Sequence, residues 1–455
     1  MVGARDESSF GEILAWLDRH INLEAIERGV AGRAAEPTLD RIRALCSAMG
    51  DPQLSYPVIH ITGTNGKGST TRLCSSLLQA TGLSIGTLMS PHLQVMNERI
   101  THDLVPISDE DLATTLRALR DLERFVVDSR HVEVPPTWFE LVTAAAFRYF
   151  ADEAVEAAVV EVGLGGLYDA TNVVEAEVAV LTNVALDHVE ILGPTRAHIA
   201  TEKAGIVKAG TTALVGDRDD EIAAIVEKRA REVGAAAVWR RDVDFGCESD
   251  QLALGGRLIT VRTPGARYDD LFVPLYGAHQ ADNASIAVAA VEAFFGAPLD
   301  YDVVAEGLGA ATVPGRLEVI ERRPLVVLDG AHNLAGAEVL ASALAEDFAA
   351  VEHIVLIMGC LRNRNPTELL GALVSDRLIE VIACAPDSPR ALPSEAIVEA
   401  AKSYDLAVSS ANDVREAIAR ARTLVSEDDL ILVAGSLYLV GAARSALGRL
   451  AFGRP

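Results

Sequence analysis

The chain is poor in aromatic residues, at 5% of 455, and in cysteine, with five. Cys46, Cys74, Cys247, Cys360 and Cys384 are widely spaced and odd in number, and no Cys-x-x-Cys pair occurs. That pattern supports neither a disulfide framework nor a zinc site, and a reducing compartment is expected. No uninterrupted apolar run approaches the ~20 residues needed to cross a bilayer. Met1 to Phe10 is charged and lacks an apolar signal core, so the expectation is a cytoplasmic protein with no membrane partner. Positive charge is also scarce: 40 Lys and Arg face 65 Asp and Glu, a net charge of −25. Such a balance disfavours nucleic-acid backbones and anionic membranes. An anionic small molecule would have to bind in a locally basic cleft, and the acidity itself serves solubility.

What is present is a well-packed composition, 50% hydrophobic, in a chain long enough for about two or three domains. Short β-branched runs alternate with amphipathic stretches. Strands are expected at Val58–Thr62, Ser84–Leu88, Ala157–Val162, Val178–Asn183 and Thr212–Val215, and the helix after the first places Leu73, Leu77 and Leu78 on one face. Strands buried on both faces with helices between them make a doubly wound parallel sheet. Residues 255–274 read instead as a small antiparallel piece, followed by an alanine-rich helix from about Ala281 to Phe295. After Val313-Pro314-Gly315 a second series begins, with strands at Leu325–Leu328, His353–Met358, Val381–Cys384 and Leu430–Val433. The fold expected is α/β in two domains, 1–313 and 314–455. No short-period repeat or low-complexity tract is present.

The most informative segment is His60-Ile61-Thr62-Gly63-Thr64-Asn65-Gly66-Lys67-Gly68-Ser69-Thr70. A strand runs through a glycine-rich turn into a helix, so backbone N–H groups and the positive helix end converge on one point. Lys67 adds a full charge, and Ser69 or Thr70 a hydroxyl for a metal ion. The match to the general phosphate loop is imperfect, because Ile61 replaces its first glycine and Gly68 its Ser or Thr. ATP is the expected ligand.

Ligands of open parallel sheets sit beyond the carboxyl ends of strands, and the remaining polar clusters fall there: Ser90-Pro91-His92, Glu161 through Asn172, Leu186-Asp187-His188 and Asp329-Gly330-Ala331-His332-Asn333. Glu161 interrupts a run that should be buried. A buried carboxylate needs a salt bridge or a metal. His188 alone reads as a packed histidine; beside Glu161, Ser69 and Ser90 it becomes a candidate ligand. Magnesium takes few protein ligands and prefers oxygen, which suits this set better than zinc does. Lys203, taken alone, reads as a surface helix lysine.

In this order the motifs resemble the folylpolyglutamate synthase and dihydrofolate synthase family of the Mur ligase superfamily, from about Leu14 to Leu447. The segments that carry the resemblance are Thr62 to Ser69, Ser90-Pro91-His92, Asn97-Glu98-Arg99, Thr137-Trp138-Phe139-Glu140, Glu161 to Asn172, Ala185 to His188, Glu202 to Ile206, Pro314-Gly315-Arg316, Asp329 to Asn333 and Gly435 to Tyr438. In that family Gly68 is normal. The resemblance implies an N-terminal P-loop ATPase domain of Mur ligase type and a smaller, Rossmann-like C-terminal domain. It also implies that Thr64, Asn65, Gly66, Lys67, Gly68 and Ser69 hold ATP phosphates, and that Asn283, Arg316 and Asp329 reach ATP from the junction and second domain. Ser69, Ser90, Glu161 and His188 would bind Mg2+, and Lys203 would be carbamylated, a change that requires a neutral amine. Thr137, Trp138, Phe139, Glu140, Tyr168, Asp169 and Ala170 would line the pterin side. Helix capping for Thr137 and turn formation for Asp169 are their plainer readings.

The implied reaction joins L-glutamate to a folate or dihydropteroate carboxylate through an acyl phosphate, with Lys67, Lys203 and His332 as catalytic candidates; a turn histidine capping the next helix is the plainer reading of His332. A monomer is expected. Two departures stand out: Leu167 where many bifunctional bacterial members carry Arg, which bears on dihydropteroate use, and Arg362-Asn363-Arg364-Asn365 in a loop often rich in Asp and Lys. The competing readings are a Mur-type ligase for another acceptor and a nucleotide-hydrolysing switch. Only about 55 residues precede the first strand, too few for the extra N-terminal domain usual in cell-wall ligases.

Overall fold

The computed structural model describes residues 7–24, 36–129 and 131–449. Residues 1–6, to which part of the N-terminal reading applies, lie outside them. The chain builds two α/β lobes. The first holds an eight-stranded sheet of β1 (Val58–Thr62), β2 (Ile85–Leu88), β3 (Ile100–His102), β4 (Val105–Pro106), β5 (Ala157–Glu161), β6 (Val178–Leu181), β7 (Thr212–Val215) and β8 (Ala237–Arg240), in the order β4-β3-β2-β5-β1-β6-β7-β8. Its central strands are buried at every residue. Alternation explains this: Val58, Ala158 and Val160 enter one core, with Phe147 and Phe150, while Ile59, Ile61 and Val159 enter another, with Leu73, Leu77 and Leu78. The expected leucine face therefore does pack on the sheet.

The expected all-parallel sheet needs correction at its edge. β3 pairs antiparallel with β2, and β4 with β3. An edge hairpin needs no crossover helix, so the hydrophobic spacing does not announce it. The antiparallel piece is also larger than expected. It has three strands, β9 (Gly246–Ala253), β10 (Gly256–Arg262) and β11 (Arg267–Val273), because β9 is too exposed to read as a strand from hydrophobicity. The helix after it begins at Ala278, three residues early, and ends at Phe295.

The second lobe carries β12 (Glu318–Arg322), β13 (Leu325–Leu328), β14 (Ile354–Met358), β15 (Leu378–Cys384), β16 (Val408–Ala411) and β17 (Leu430–Ala434), ordered β12-β13-β17-β14-β15-β16. All pairs are parallel except β12 with β13. β12 and β16 were not expected, since both are partly exposed edge strands.

Strand order is what assembles the site. β2, β5, β1 and β6 are neighbours, so the loops holding Ser90, Glu161, the phosphate-binding turn and Asp187-His188 stand side by side. In the other lobe β13, β17 and β14 are neighbours, which groups Asp329–Asn333, Ser436 and Arg364. Hydrogen bonds between Asn65 and Asn333, and between Asp187 and Arg364, show that these two sets of loops face each other.

Candidate active site between the lobes

The helix Lys67–Ala80 starts at Gly66, whose φ of 80° suits glycine, and no side chain caps it. Its first N–H groups are therefore available to an anion. The turn before it is strapped to the loop after β6. Thr64 N and Asn65 N donate to the carbonyl and side-chain oxygens of Asn183, at 2.9 and 3.0 Å, and Thr182 Oγ1 donates to Asn65 O at 2.7 Å. Lys67 Nζ is folded onto Gly63 O (3.1 Å) and Thr64 O (3.2 Å). Burial lowers its pKa, against the pull of Glu161 and Asp187.

Gly68 has a local reason. A Cβ there would lie 3.3 Å from Met89 Cε and 3.7 Å from a Glu161 carboxylate oxygen. The missing side chain keeps open the space between the phosphate loop and Glu161. Glu161 is 3% exposed, accepts from Ser90 N at 3.0 Å, and forms no ion pair among the described residues. Burial raises its pKa and the Lys67 charge opposes the shift. An unpaired buried carboxylate costs several kcal/mol, so this side chain fits a cation. Among the described residues the sequence alternative, a salt bridge at the strand end, is not formed.

Ser69 and Ser90 fit the same description unequally. Ser90 is beside Glu161, whereas Ser69 Oγ accepts from Gln280 Nε2 at 3.4 Å. His188 keeps other company: its backbone is left-handed at φ 50°, its Nε2 lies 3.4 Å from Arg364 and 3.7 Å from Asp187, and burial lowers its pKa. Among the described residues no three His, Cys, Asp or Glu side chains form a closed cage.

Lys203 is not on the surface. It is 3% exposed and donates to Gly63 O at 2.6 Å. Burial, then the nearby Lys67 charge, depresses its pKa well below the ordinary lysine value. The helix Arg196–Lys203 is short and lies against the glycine turn after β5; a Cβ on Gly166 would come 2.8 Å from Lys203 O. A neutral amine here can be carbamylated, and the carbamate nitrogen retains an N–H for Gly63 O.

From the junction, Asn283 Oδ1 sits against Gly66 and its Nδ2 donates to Gln280 at 3.0 Å. Asp329 uses both oxygens on backbone, accepting from Leu317 N and Ala331 N at 2.8 Å, and so shapes the turns around Arg316 and His332. His332 does not cap the next helix; Asn333 does, accepting from Gly336 N. His332 Nδ1 faces Gly330 O at 2.8 Å, which puts the proton on Nδ1 and leaves Nε2 as an acceptor; burial holds its pKa near 4.

Of the pterin-side candidates, Phe139 and Asp169 are brought together. Phe139 and Asp169 both border Gly163, where a Cβ would lie 2.7 and 3.2 Å from them. Thr137 and Glu140 form a capping box, and Glu140 pairs with Arg41 at 3.0 Å. Trp138 donates to Asp18 at 3.1 Å and lies under the Arg99 guanidinium at 4.8 Å. Asp169 accepts from Leu164 N and Thr171 N, Ala170 is buried, and Tyr168 is half exposed. A cavity of about 740 Å³ opens between the lobes, bordered by Gly68, Ser90 and Glu161 on one side and by Arg316, Leu437 and Arg444 on the other.

Comparison with known proteins bears on this geometry. Residues 131–291 match the Mur ligase middle domain, and residues 315–437 the Mur ligase glutamate ligase domain. The chain is 40% identical to the dihydrofolate synthase/folylpolyglutamate synthase of Mycobacterium tuberculosis, over 91% of each chain. It is 37% identical to the folylpolyglutamate synthase of Lacticaseibacillus casei, over 90% of this chain and 94% of that one. The chain belongs to the folylpolyglutamate synthase/dihydrofolate synthase family of Mur ligases.

Among solved structures, M. tuberculosis folylpolyglutamate synthase complexed with ADP and AMPPCP superposes with a TM-score of 0.89 at 38% identity, covering 97% of this chain and 99% of that one. The E. coli FolC complex with DHPP and ADP gives 0.82 at 27% identity, covering 96% and 97%. Neither a ligase for an unrelated acceptor nor a switch module finds support among these relatives. Three residues of this family member had no role assigned from the sequence: Asp187, Asn333 and Arg364. Asp187 and Asn333 lay inside recognised motifs, and Arg364 inside the loop that departs from the family.

Proposed function

We propose that this ATP-dependent ligase joins the α-amine of L-glutamate to a pterin-linked carboxylate, extending reduced folates, converting dihydropteroate to dihydrofolate, or both. The observation that carries the reading is the opposition across one cavity of an uncapped phosphate-loop helix and Glu161, unpaired among the described residues, on one lobe, and Arg316 on the other. We place the boundary between the lobes after residue 313. Because one chain supplies both sides of the cleft, a monomer suffices, working in the cytoplasm; no helix of the described residues is long and apolar enough to cross a membrane.

The substrate carboxylate attacks the γ-phosphorus, and ADP leaves with the bonding electrons. The glutamate amine then attacks the acyl carbon and sheds a proton, and phosphate departs. Thr64 to Ser69 position the phosphates, and Lys67 turns from its loop carbonyls to the transferring group. Such transfer depends on positioning and charge more than on covalent help. Mg2+ held by Ser69, Ser90, Glu161 and His188 would neutralise phosphate charge there. Arg316 supplies fixed positive charge from the second lobe, with Asp329 shaping its turn. His332, neutral with Nε2 unprotonated, accepts a hydrogen bond from the incoming amine. Thr137 to Glu140 and Tyr168 to Ala170 wall the pterin side. Closure of the lobes excludes water from the acyl phosphate.

The test is ADP release by purified protein with tetrahydrofolate or dihydropteroate, each with and without glutamate. ADP is expected only when acceptor and glutamate are both present. ADP release indifferent to either one would overturn the reading.

A further inference from the structure

The loop that departs from the family crosses the cleft. It follows β14 and ends where Asn365 caps the helix Pro366–Leu373. One terminal nitrogen of Arg364 donates to Asp187 Oδ1, and the other lies 3.4 Å from His188 Nε2. Both partners of the ion pair are nearly buried, at 12% and 8% exposed. The second Asp187 oxygen accepts from Asn333 Nδ2 at 2.9 Å. Asn333 also donates to Asn65 Oδ1 at 3.1 Å, and Asn65 Nδ2 returns a bond to Asn333 Oδ1 at 3.3 Å. A single polar chain therefore runs Arg364–Asp187–Asn333–Asn65, alternating between lobes at each step and ending in the phosphate loop.

The arrangement is not a fully satisfied structural bridge. Among the described residues Arg364 Nε is buried without an acceptor, a state rare in proteins and concentrated where function holds a group in place. Opening of the lobes would strand Asp187 without its cation and release Asn65 and His188 together. Closure and site alignment are thus one event in this geometry.

We propose that Arg364 is a positioning residue that couples closure of the second lobe to alignment of the phosphate loop and His188, and so protects the acyl phosphate from water. This rests on the ligase reading above. Without the clamp, water replaces the amine at the acyl carbon. The bond from that carbon to the bridging oxygen breaks, carboxylate and phosphate return, and ADP has formed with no amide.

The experiment counts ADP against glutamate incorporated, together with kcat, KM for glutamate and Tm, in the full chain. Wild type is expected to give about one ADP per amide. Arg364→Ala should raise that ratio at least ~3-fold as kcat for amide falls, and Arg364→Lys should restore part of the coupling as a point charge. Since Arg364→Ala leaves a buried acid unpaired, the double variant Arg364→Met/Asp187→Asn removes both charges and should show the same uncoupling in a folded protein. A ratio that stays at one in both, even with lowered Tm, would make Arg364 merely structural and overturn the proposal. Wild-type ADP release that ignores acceptor and glutamate would instead overturn the ligase reading beneath it.

Discussion

Two buried ion clusters tie the lobes together, and they differ in completeness. At one, Arg257 of β10 is 2% exposed and meets Asp250, Glu346 and Asp347, while Asp347 also accepts from Gly277 N. Every charge there has a partner, and Tyr276 packs on Phe348 beside it, with ring centroids 5.1 Å apart. At the other, Asp187 is shared by Arg364 and Asn333, one N–H of Arg364 has no acceptor among the described residues, and the network ends in the phosphate loop. A satisfied cluster, with no member in the phosphate loop, fixes relative position. An incompletely satisfied one that reaches that loop can exchange partners when ligands arrive. The same residue types thus serve as a fixed joint in one place and as a latch in another.

The harshest way to break the comparison is acid. His60, fully buried in β1 with Nε2 on Thr171 Oγ1 at 2.9 Å, has its pKa lowered by burial from 6.5 to about 3. The unfolded chain takes up a proton below pH 6.5 that the folded chain refuses, so stability is full above 6.5 and falls as pH drops toward 3. The loss from this group is on the order of 4–5 kcal/mol at one unit per ~1.4 kcal/mol. Asp187 is also lowered, but by another cause: burial pushes its pKa up, and Arg364 outweighs this and holds it below the usual carboxylate range. Its contribution is therefore lost only under more acidic conditions. Urea unfolding at pH 7, 5 and 4 should show a progressive loss that His60→Gln reduces; a flat profile would remove His60 from the account.

Arg257→Ala should cost ~3–5 kcal/mol by stranding Asp347, yet leave ADP per amide near one. If it uncouples the reaction as Arg364→Ala does, the distinction between joint and latch disappears. Lys67→Ala touches neither cluster, and should lower turnover by ~10²–10³-fold, the scale for losing one preorganised charge, with little change in Tm. A large Tm loss instead would make the lysine a structural strap for its loop. Glu161→Gln should raise the magnesium concentration needed for half-maximal activity by ~10-fold, on the scale of one ligand; unchanged magnesium dependence would remove Glu161 from the metal site. The smallest expected signal is the mass of one carbon dioxide on Lys203 under gentle native conditions. Lys203→Ala with full activity would end that assignment.

Most of the central strands and the phosphate-binding turn were legible because their cause is local. A parallel strand buried on both faces reads as an unbroken apolar run, and a glycine turn before a helix is written in consecutive residues. Glu161 was legible for the same reason, as one acid inside such a run. Edge elements were not: β3, β4, β12 and β16 are short or half exposed, and β9 alternates weakly. Lys203 read as a surface residue because nothing in its own helix says what lies against it. Its burial comes from the glycine turn after β5, about 40 residues earlier.

The amino-acid order alone therefore determined the central strands of the two large sheets, the anion-binding turn and the chemistry carried by each strand end, since these follow from periodicity and backbone geometry within short windows. Only the tertiary structure decided which strand ends are neighbours, which carboxylate is left without a cation, and that Arg364 reaches Asp187. Those depend on strand order and on the docking of two lobes, where burial and charge partners come from residues far apart in the chain.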